Sequence, residues 1–210
     1  MRALVLVDIQ NDFCAGGALA VPDGDAVVAV ANRLMDHADL IVATQDWHPA
    51  EHGSFAANHP GRNPFELAEL GGLPQVLWPV HCVAWTGGAQ FHPHLDTRRI
   101  HRVFPKGTDP AIDSYSGFFD NGRRKATGLG DWLTAQGVDE VLVCGLATDY
   151  CVKATAIDAA DLGYRTILVE DACRGVGLIA NDLTNAIKSL REKGVCIVSS
   201  EAVQNREALR

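Results

Sequence analysis

The sequence predicts an α/β protein, a three-layer α/β/α sandwich around a mostly parallel central sheet. Two observations carry that prediction. Short β-branched apolar runs alternate with segments of helical periodicity along the chain. Most of those runs are continuously rather than alternately apolar, the pattern of strands covered on both faces. A third observation sets the scale: 210 residues, 47% of them apolar and 21% charged, suit one globular domain over 1–210 with a sizeable core.

The elements follow in order. Ala3–Val7 is an apolar strand ended by Asp8. Asp25–His37 reads as a helix, with Val27, Val30, Ala31, Leu34 and Met35 on one face. Leu40–Thr44 is the second strand. From about Pro49 to Phe91 the periodicity fails, and Gly, Pro, His and Trp are frequent. That stretch is expected to run as a long functional excursion over one edge of the sheet. Ile100–Phe104 is the next strand, followed by a helix over Thr127–Ala135 that Gly137 stops. Glu140–Cys144, Thr166–Val169 and Val195–Ser199 complete the strands. Helices over Tyr150–Leu162 and Asn181–Lys193 lie between them, stopped by Gly163 and Gly194.

Composition removes several classes of function. A net charge of -8 argues against a nucleic-acid partner, and Arg123-Arg124-Lys125 reads as a solvated turn. No apolar stretch approaches membrane-spanning length. The apolar run at the start is too short for a secretory leader, so a cytoplasmic protein is expected. The six cysteines form no CxxC pair and are expected to be thiols in a reducing compartment.

In an open parallel sheet, ligands bind beyond the carboxyl ends of the strands. Asp8 ends the first strand, Asp46 and His48 follow the second, Lys106 follows Ile100–Phe104, and Cys151 follows Glu140–Cys144. The run VLVCGLATDYCV sets Cys151 where a helix should begin, a position whose N–H groups and dipole favour a thiolate. These types point to a cysteine hydrolase without a catalytic histidine. Cys151 attacks a carbonyl, Asp8 moves the proton, Lys106 keeps Asp8 ionised, and the turn 145–150 aims N–H groups at the oxyanion. Asp46-x-His48 puts two ligand side chains on one face of an extended segment, and His81 offers a third, a set suited to zinc, iron or manganese. His52 and His59 are further candidates in the loop, whereas His92, His94 and His101 are expected not to be ligands. Phe13, Trp78 and Tyr115 flank these segments and offer a flat pocket for a ring.

Five segments carry a family resemblance: LVLVDIQNDFCAGGALAVPDGD, TQDWHPAEHGSFAANHPG, LWPVHCVAWTGGAQFHPHL, FPKGTDPAIDSYSGFFDNGRRKATGLGDWL and VCGLATDYCVKATAIDA. In this order the chain resembles the bacterial nicotinamidases, or pyrazinamidases, of the isochorismatase-like cysteine hydrolase superfamily. The resemblance implies a triad of Asp8, Lys106 and Cys151, and a divalent metal, zinc foremost, on Asp46, His48 and His81, with waters or His52 in the remaining positions. It implies a cis peptide between Leu146 and Ala147, N–H groups of Ala147 and Cys151 facing the oxyanion, and Phe13, Trp78 and Tyr115 around a pyridine ring. Nicotinamide is the implied substrate, and association into homo-oligomers is common among such proteins. Val83-Ala84-Trp85-Thr86 stands where the family usually has a Gln-Gly pair. Relatives that act on N-carbamoyl or ureido compounds generally lack the metal set, and isochorismatases lack the nucleophilic cysteine.

Overall fold

The computed structural model describes residues 1–205; the last five residues of the expected domain, 206–210, lie outside the described residues. Six strands form the main sheet: β1 (Arg2–Val7), β2 (Leu40–Asp46), β5 (Arg102–Lys106), β6 (Glu140–Leu146), β7 (Arg165–Arg174) and β8 (Cys196–Val198). Their order across the sheet is β5-β2-β1-β6-β7-β8, and every neighbouring pair is parallel. The expected α/β architecture is present. Between β2 and β5, the strands β3 (Leu67–Leu70) and β4 (Leu73–Val76) pair as a separate antiparallel hairpin.

The core follows from the apolar runs. Every residue of β1 from Ala3 to Val7 is buried, and β6 is buried along its whole length. Helix α1 (Ala26–Leu34) turns Val27, Val28, Ala31 and Leu34 inward against β6 and β7. Helix α3 (Lys153–Asp161) packs on β7 beside α4 (Asp182–Glu192). Helices α2 (Leu129–Ala135) and α5 (Ser200–Gln204) complete the set, α5 against α1 and β7.

Several boundaries differ from expectation for local reasons. The first helix tightens to a 3-10 turn over Met35–His37. Gly128 is left-handed and the Thr127 hydroxyl accepts from Leu129 N, so α2 starts at Leu129, two residues later than expected. Ile100 closes a 3-10 turn over Thr97–Arg99 rather than opening a strand, and β5 runs on to Lys106. The helix expected from Tyr150 begins as a π-helical turn over Thr148–Val152 and becomes α-helical only at Lys153.

Strand order reverses between β1 and β6. The chain builds outward from β1 through β2 and β5 on one side, and from β6 through β7 and β8 on the other. Such a reversal opens a crevice at the carboxyl ends of the two central strands. Gly145 closes the floor of that crevice. It is left-handed, with φ 123°, and a Cβ there would sit 2.1 Å from the Val7 carbonyl oxygen. Only glycine lets the two strands approach so closely.

Candidate active site

Asp8 leaves the end of β1 in a left-handed conformation, φ 49°, and its side chain is fully buried. A non-glycine residue held there marks a constraint imposed by its surroundings. Asp8 Oδ1 accepts the Thr44 hydroxyl at 2.6 Å. Asp8 Oδ2 lies 2.9 Å from Lys106 Nζ yet receives no well-directed hydrogen bond, so it keeps a lone pair for a proton. Lys106 ends β5 directly opposite Asp46, the last residue of β2. Its buried ammonium bonds the Asp46 carboxylate and the Ser114 carbonyl (2.9 Å), and it donates to Cys151 Sγ at 3.3 Å. Asp8, Asp46 and Cys151 bring side-chain atoms within 4.8 Å of one another. One cation thus serves two carboxylates and a sulfur.

The protonation states follow from that imbalance. Burial pushes Asp8 up, Lys106 pulls it back and Asp46 adds to the rise, leaving it at about 6. Burial acts on Asp46 too, but Lys106, His48 and His81 outweigh it and hold its carboxyl well below the usual range. Burial lowers Lys106, yet Asp46 and Asp8 keep the ammonium well above its ordinary value. Burial raises the Cys151 thiol well above the free value; Lys106 opposes this and the two carboxylates reinforce it. The sulfur therefore rests as a thiol. The helix-end position favours the thiolate, and burial among acids acts the other way. Cys151 sits inside the π-helical turn, buried and beside two acids that oppose its ionisation.

The second group lies beside the first. Asp46 Oδ2 is 3.7 Å from His48 Nε2 and 3.9 Å from His81 Nε2. His48 donates through Nδ1 to the Gly107 carbonyl at 2.8 Å, and His81 donates through Nδ1 to the Pro79 carbonyl at 2.8 Å. Both bonds hold Nε2 towards the carboxylate, and in the neutral ring they leave its lone pair there. Burial, then the neighbouring His48, lowers His81 to about 4, so it stays neutral; burial lowers His48 too, but Asp46 outweighs it and raises it. Three convergent donors, oriented from behind, fit a divalent cation. Gly107 makes room for them. It is left-handed, with φ 64°, and a Cβ there would meet the His48 ring at 2.3 Å. Gln10 holds the main chain at Asp46, donating to its carbonyl at 2.9 Å and accepting from its N–H at 2.8 Å.

His52 is brought against His48, with ring centroids 4.4 Å apart, but it groups with Asp113 rather than with Asp46 and His81. Its Nδ1 accepts from Ser54, and its buried Nε2 has no hydrogen-bond partner among the described residues. His59 bonds the Gly53 carbonyl and joins no metal-binding group among the described residues. Phe13, Trp78 and Tyr115 line one cavity with Asp46, His48, His81, Ala147 and Cys151. Trp78 donates to the Tyr115 hydroxyl at 3.2 Å, and Phe13 lies 5.4 Å from His81, centroid to centroid. The Leu146–Ala147 peptide is cis.

Sequence reasoning missed Leu19, which lines this cavity, and the side-chain roles of four further residues. Asp113 and Tyr150 line the cavity, as does Val176. Asp149 holds the Val176 wall, accepting from Val176 N at 3.0 Å and Gly177 N at 2.7 Å. The LATDYC turn carried a signal for Asp149, a carboxylate two residues before the sulfur, but nothing local pointed to a loop 27 residues downstream.

A parallel sheet that gathers a thiol, a carboxylate and an ammonium in the crevice at its strand reversal has the layout of a cysteine hydrolase. The chain belongs to the isochorismatase domain family, whose model matches residues 2–202. It is 54% identical to the nicotinamidase of Escherichia coli over 200 residues, 93% of each chain. A nicotinamidase/pyrazinamidase of Acinetobacter baumanii superposes with a TM-score of 0.93 at 44% identity, over 96% of this chain and 97% of that one. A pyrazinamidase of Pyrococcus horikoshii solved in complex with zinc superposes at 0.75, with 37% identity over 94% and 98%. Among the described residues, no helix is long and apolar enough to cross a membrane.

Proposed function

We propose that this chain hydrolyses nicotinamide, and its analogue pyrazinamide, to the aromatic acid and ammonia through a thioester on Cys151. One observation carries the reading: Cys151 shares a cavity with an aromatic wall and a three-donor metal group, within 4.8 Å of the carboxylate pair that includes Asp8. Asp46, His48 and His81 would hold a divalent cation, zinc by the relative's example, and that ion would supply a Lewis-acid point for the ring nitrogen. Phe13 and Trp78 border the ring and Tyr115 its edge, which fixes the carboxamide over the sulfur.

Asp8 Oδ2 takes the thiol proton as Sγ bonds the carboxamide carbon. The oxygen becomes an oxyanion in the turn of Ala147 and Cys151, whose N–H groups are the donors that stabilise it. The C–N bond breaks as Asp8 returns the proton to nitrogen, and ammonia leaves a thioester. Asp8 then takes a proton from water, the hydroxyl adds to the thioester carbon, and the C–S bond breaks as Asp8 returns that proton to sulfur, which releases the acid and regenerates the thiol and the carboxylate. Lys106 stays charged throughout and offsets the negative charge that passes from Asp8 to sulfur to oxygen. Six unpaired thiols agree with a reducing cytoplasm, where nicotinate release would serve pyridine-nucleotide salvage. The reading treats residues 1–210 as one catalytic unit.

The test is ammonia release from nicotinamide by purified protein whose metal content is measured on the same sample. Chelation should lower the rate and a divalent ion should restore it. Absence of ammonia from both amides in a metal-replete sample would overturn the assignment. The pH profile supplies a second check. The base form of Asp8 is the active one and is lost as pH falls through about 6, so kcat/KM should drop tenfold per unit below that value. A flat profile from pH 5 to 8 would remove Asp8 as the base. Asp149→Ala should raise KM by about tenfold with a smaller change in kcat, because it frees the Val176 wall while leaving the sulfur in place. An unchanged KM would show that this wall takes no part in binding.

A further inference from the structure

We propose a second metal-binding site on this chain, formed by Cys14, Asp25 and His92, that takes a thiolate- and imidazole-preferring divalent cation such as Zn²⁺. It shares no residue with the Asp46, His48 and His81 group. The Cys14 sulfur, an Asp25 carboxylate oxygen and a His92 ring nitrogen all lie within 4.8 Å of one another. Three separate segments supply them: the residue after the 3-10 turn Asn11–Phe13, the residue before α1, and the loop that leads towards Thr97.

Each segment is held by bonds that leave the donor atoms convergent. Asp25 Oδ2 accepts from Ala15 N at 2.8 Å, while Oδ1 faces His92 Nε2 at 3.1 Å. Cys14 N donates to the Asn11 carbonyl at 3.1 Å, and His92 N donates to the Ile9 carbonyl at 2.9 Å. Cys14 is buried, His92 is half-buried and Asp25 is exposed. An ion there would have its sulfur ligand on the protein side and its remaining positions towards water. A sulfur, a nitrogen and an oxygen donor together select zinc over calcium or magnesium, which take oxygen ligands.

The charges and protons balance. A thiolate and a carboxylate neutralise a divalent ion. Burial and Asp25 push the Cys14 thiol up to about 11, so its proton passes to solvent as the metal–sulfur bond forms. The ring proton shared with Asp25 moves from Nε2 to Nδ1, at the cost of the 3.2 Å bond that Nδ1 accepts from His94 N. Separations of 11 and 67 residues form no local motif, which is why the sequence assigned His92 no ligand role. Cys14 directly follows Phe13, so the ion would tie a wall of the catalytic cavity to α1.

The test uses metal-free full-length protein carrying Cys151→Ala, which removes the thiol near Asp46, titrated with Co²⁺. The expected result is a second cobalt ion per chain, with thiolate-to-cobalt charge-transfer absorption in the near ultraviolet. That absorption should vanish on adding either Cys14→Ser or His92→Gln. The Asp46, His48 and His81 group contains no sulfur, so a band lost on Cys14→Ser and on His92→Gln reports on the new site. His92→Gln leaves the buried Cys14 in place and keeps the test decisive if Cys14→Ser fails to fold. Binding of a single ion without the band, or a band that survives both substitutions, would overturn the proposal. Failure of the catalytic reading would appear separately, as missing ammonia release.

Discussion

Replacing Cys151 with alanine is expected to lower kcat for nicotinamide by more than about a thousandfold, the scale of losing a nucleophile whose partners cannot act without it. The urea midpoint should hardly move. Alanine keeps the backbone of the π-helical turn, and the side chain loses one 3.3 Å contact with an ammonium that retains two carboxylates and a carbonyl. The resting thiol makes the experiment sharper. With burial and two acids holding the proton on sulfur, the sulfur acts only while Asp8 accepts that proton, so neither group gives a slow background route alone. Steady-state ammonia release paired with urea denaturation checks both halves. Retention of a tenth of the activity would exclude a thioester on this residue.

The second large effect is Lys106→Met. Its ammonium is fully buried against Asp8 and Asp46, and removing it leaves two carboxylates desolvated without their cation. Breaking a buried pair in this way costs about 3–5 kcal/mol, which for a chain of this size lowers Tm by roughly 10 °C. Activity should fall with it, since Asp8 loses the charge that opposes its rise. The loss carries a pH signature. Asp8 is raised above its unfolded value, so its favourable share of stability is full below the ordinary carboxylate range and is lost as pH rises through its folded value. Without Lys106 that folded value climbs further. The stability gap between variant and native protein should therefore be wide at pH 8 and narrow towards pH 5. A gap independent of pH would mean that the lysine acts by packing alone.

Most of the architecture was legible because apolar runs report on burial directly. Strands β1 and β6 are buried at nearly every position, and their sequences say so. The ends of β2 and β5 were not legible. Asp46 and Lys106 belong to their strands but are polar, and they are buried because each pairs with the other and with further partners distant in sequence. The hairpin of β3 and β4 turns on Gly71-Gly72, a readable signal that Pro74 and the exposed Leu67 obscured. Helix α5 spans only Ser200–Gln204, too short for a period. Within the candidate site, residues at strand ends could be placed from sequence. Asp113, Asp149 and Val176 could not, since their approach depends on how loops fold back over the crevice.

The position of β6 has a consequence for the growing chain. Asp8, Asp46, His48, His81 and Lys106 all emerge from the ribosome before Cys151, yet the strand that delivers the sulfur must take its place at the middle of the sheet, beside β1. A half-made molecule therefore holds the acid, the amine and the candidate metal donors with nothing to activate. The reactive thiol arrives last and meets its partners only as the molecule closes.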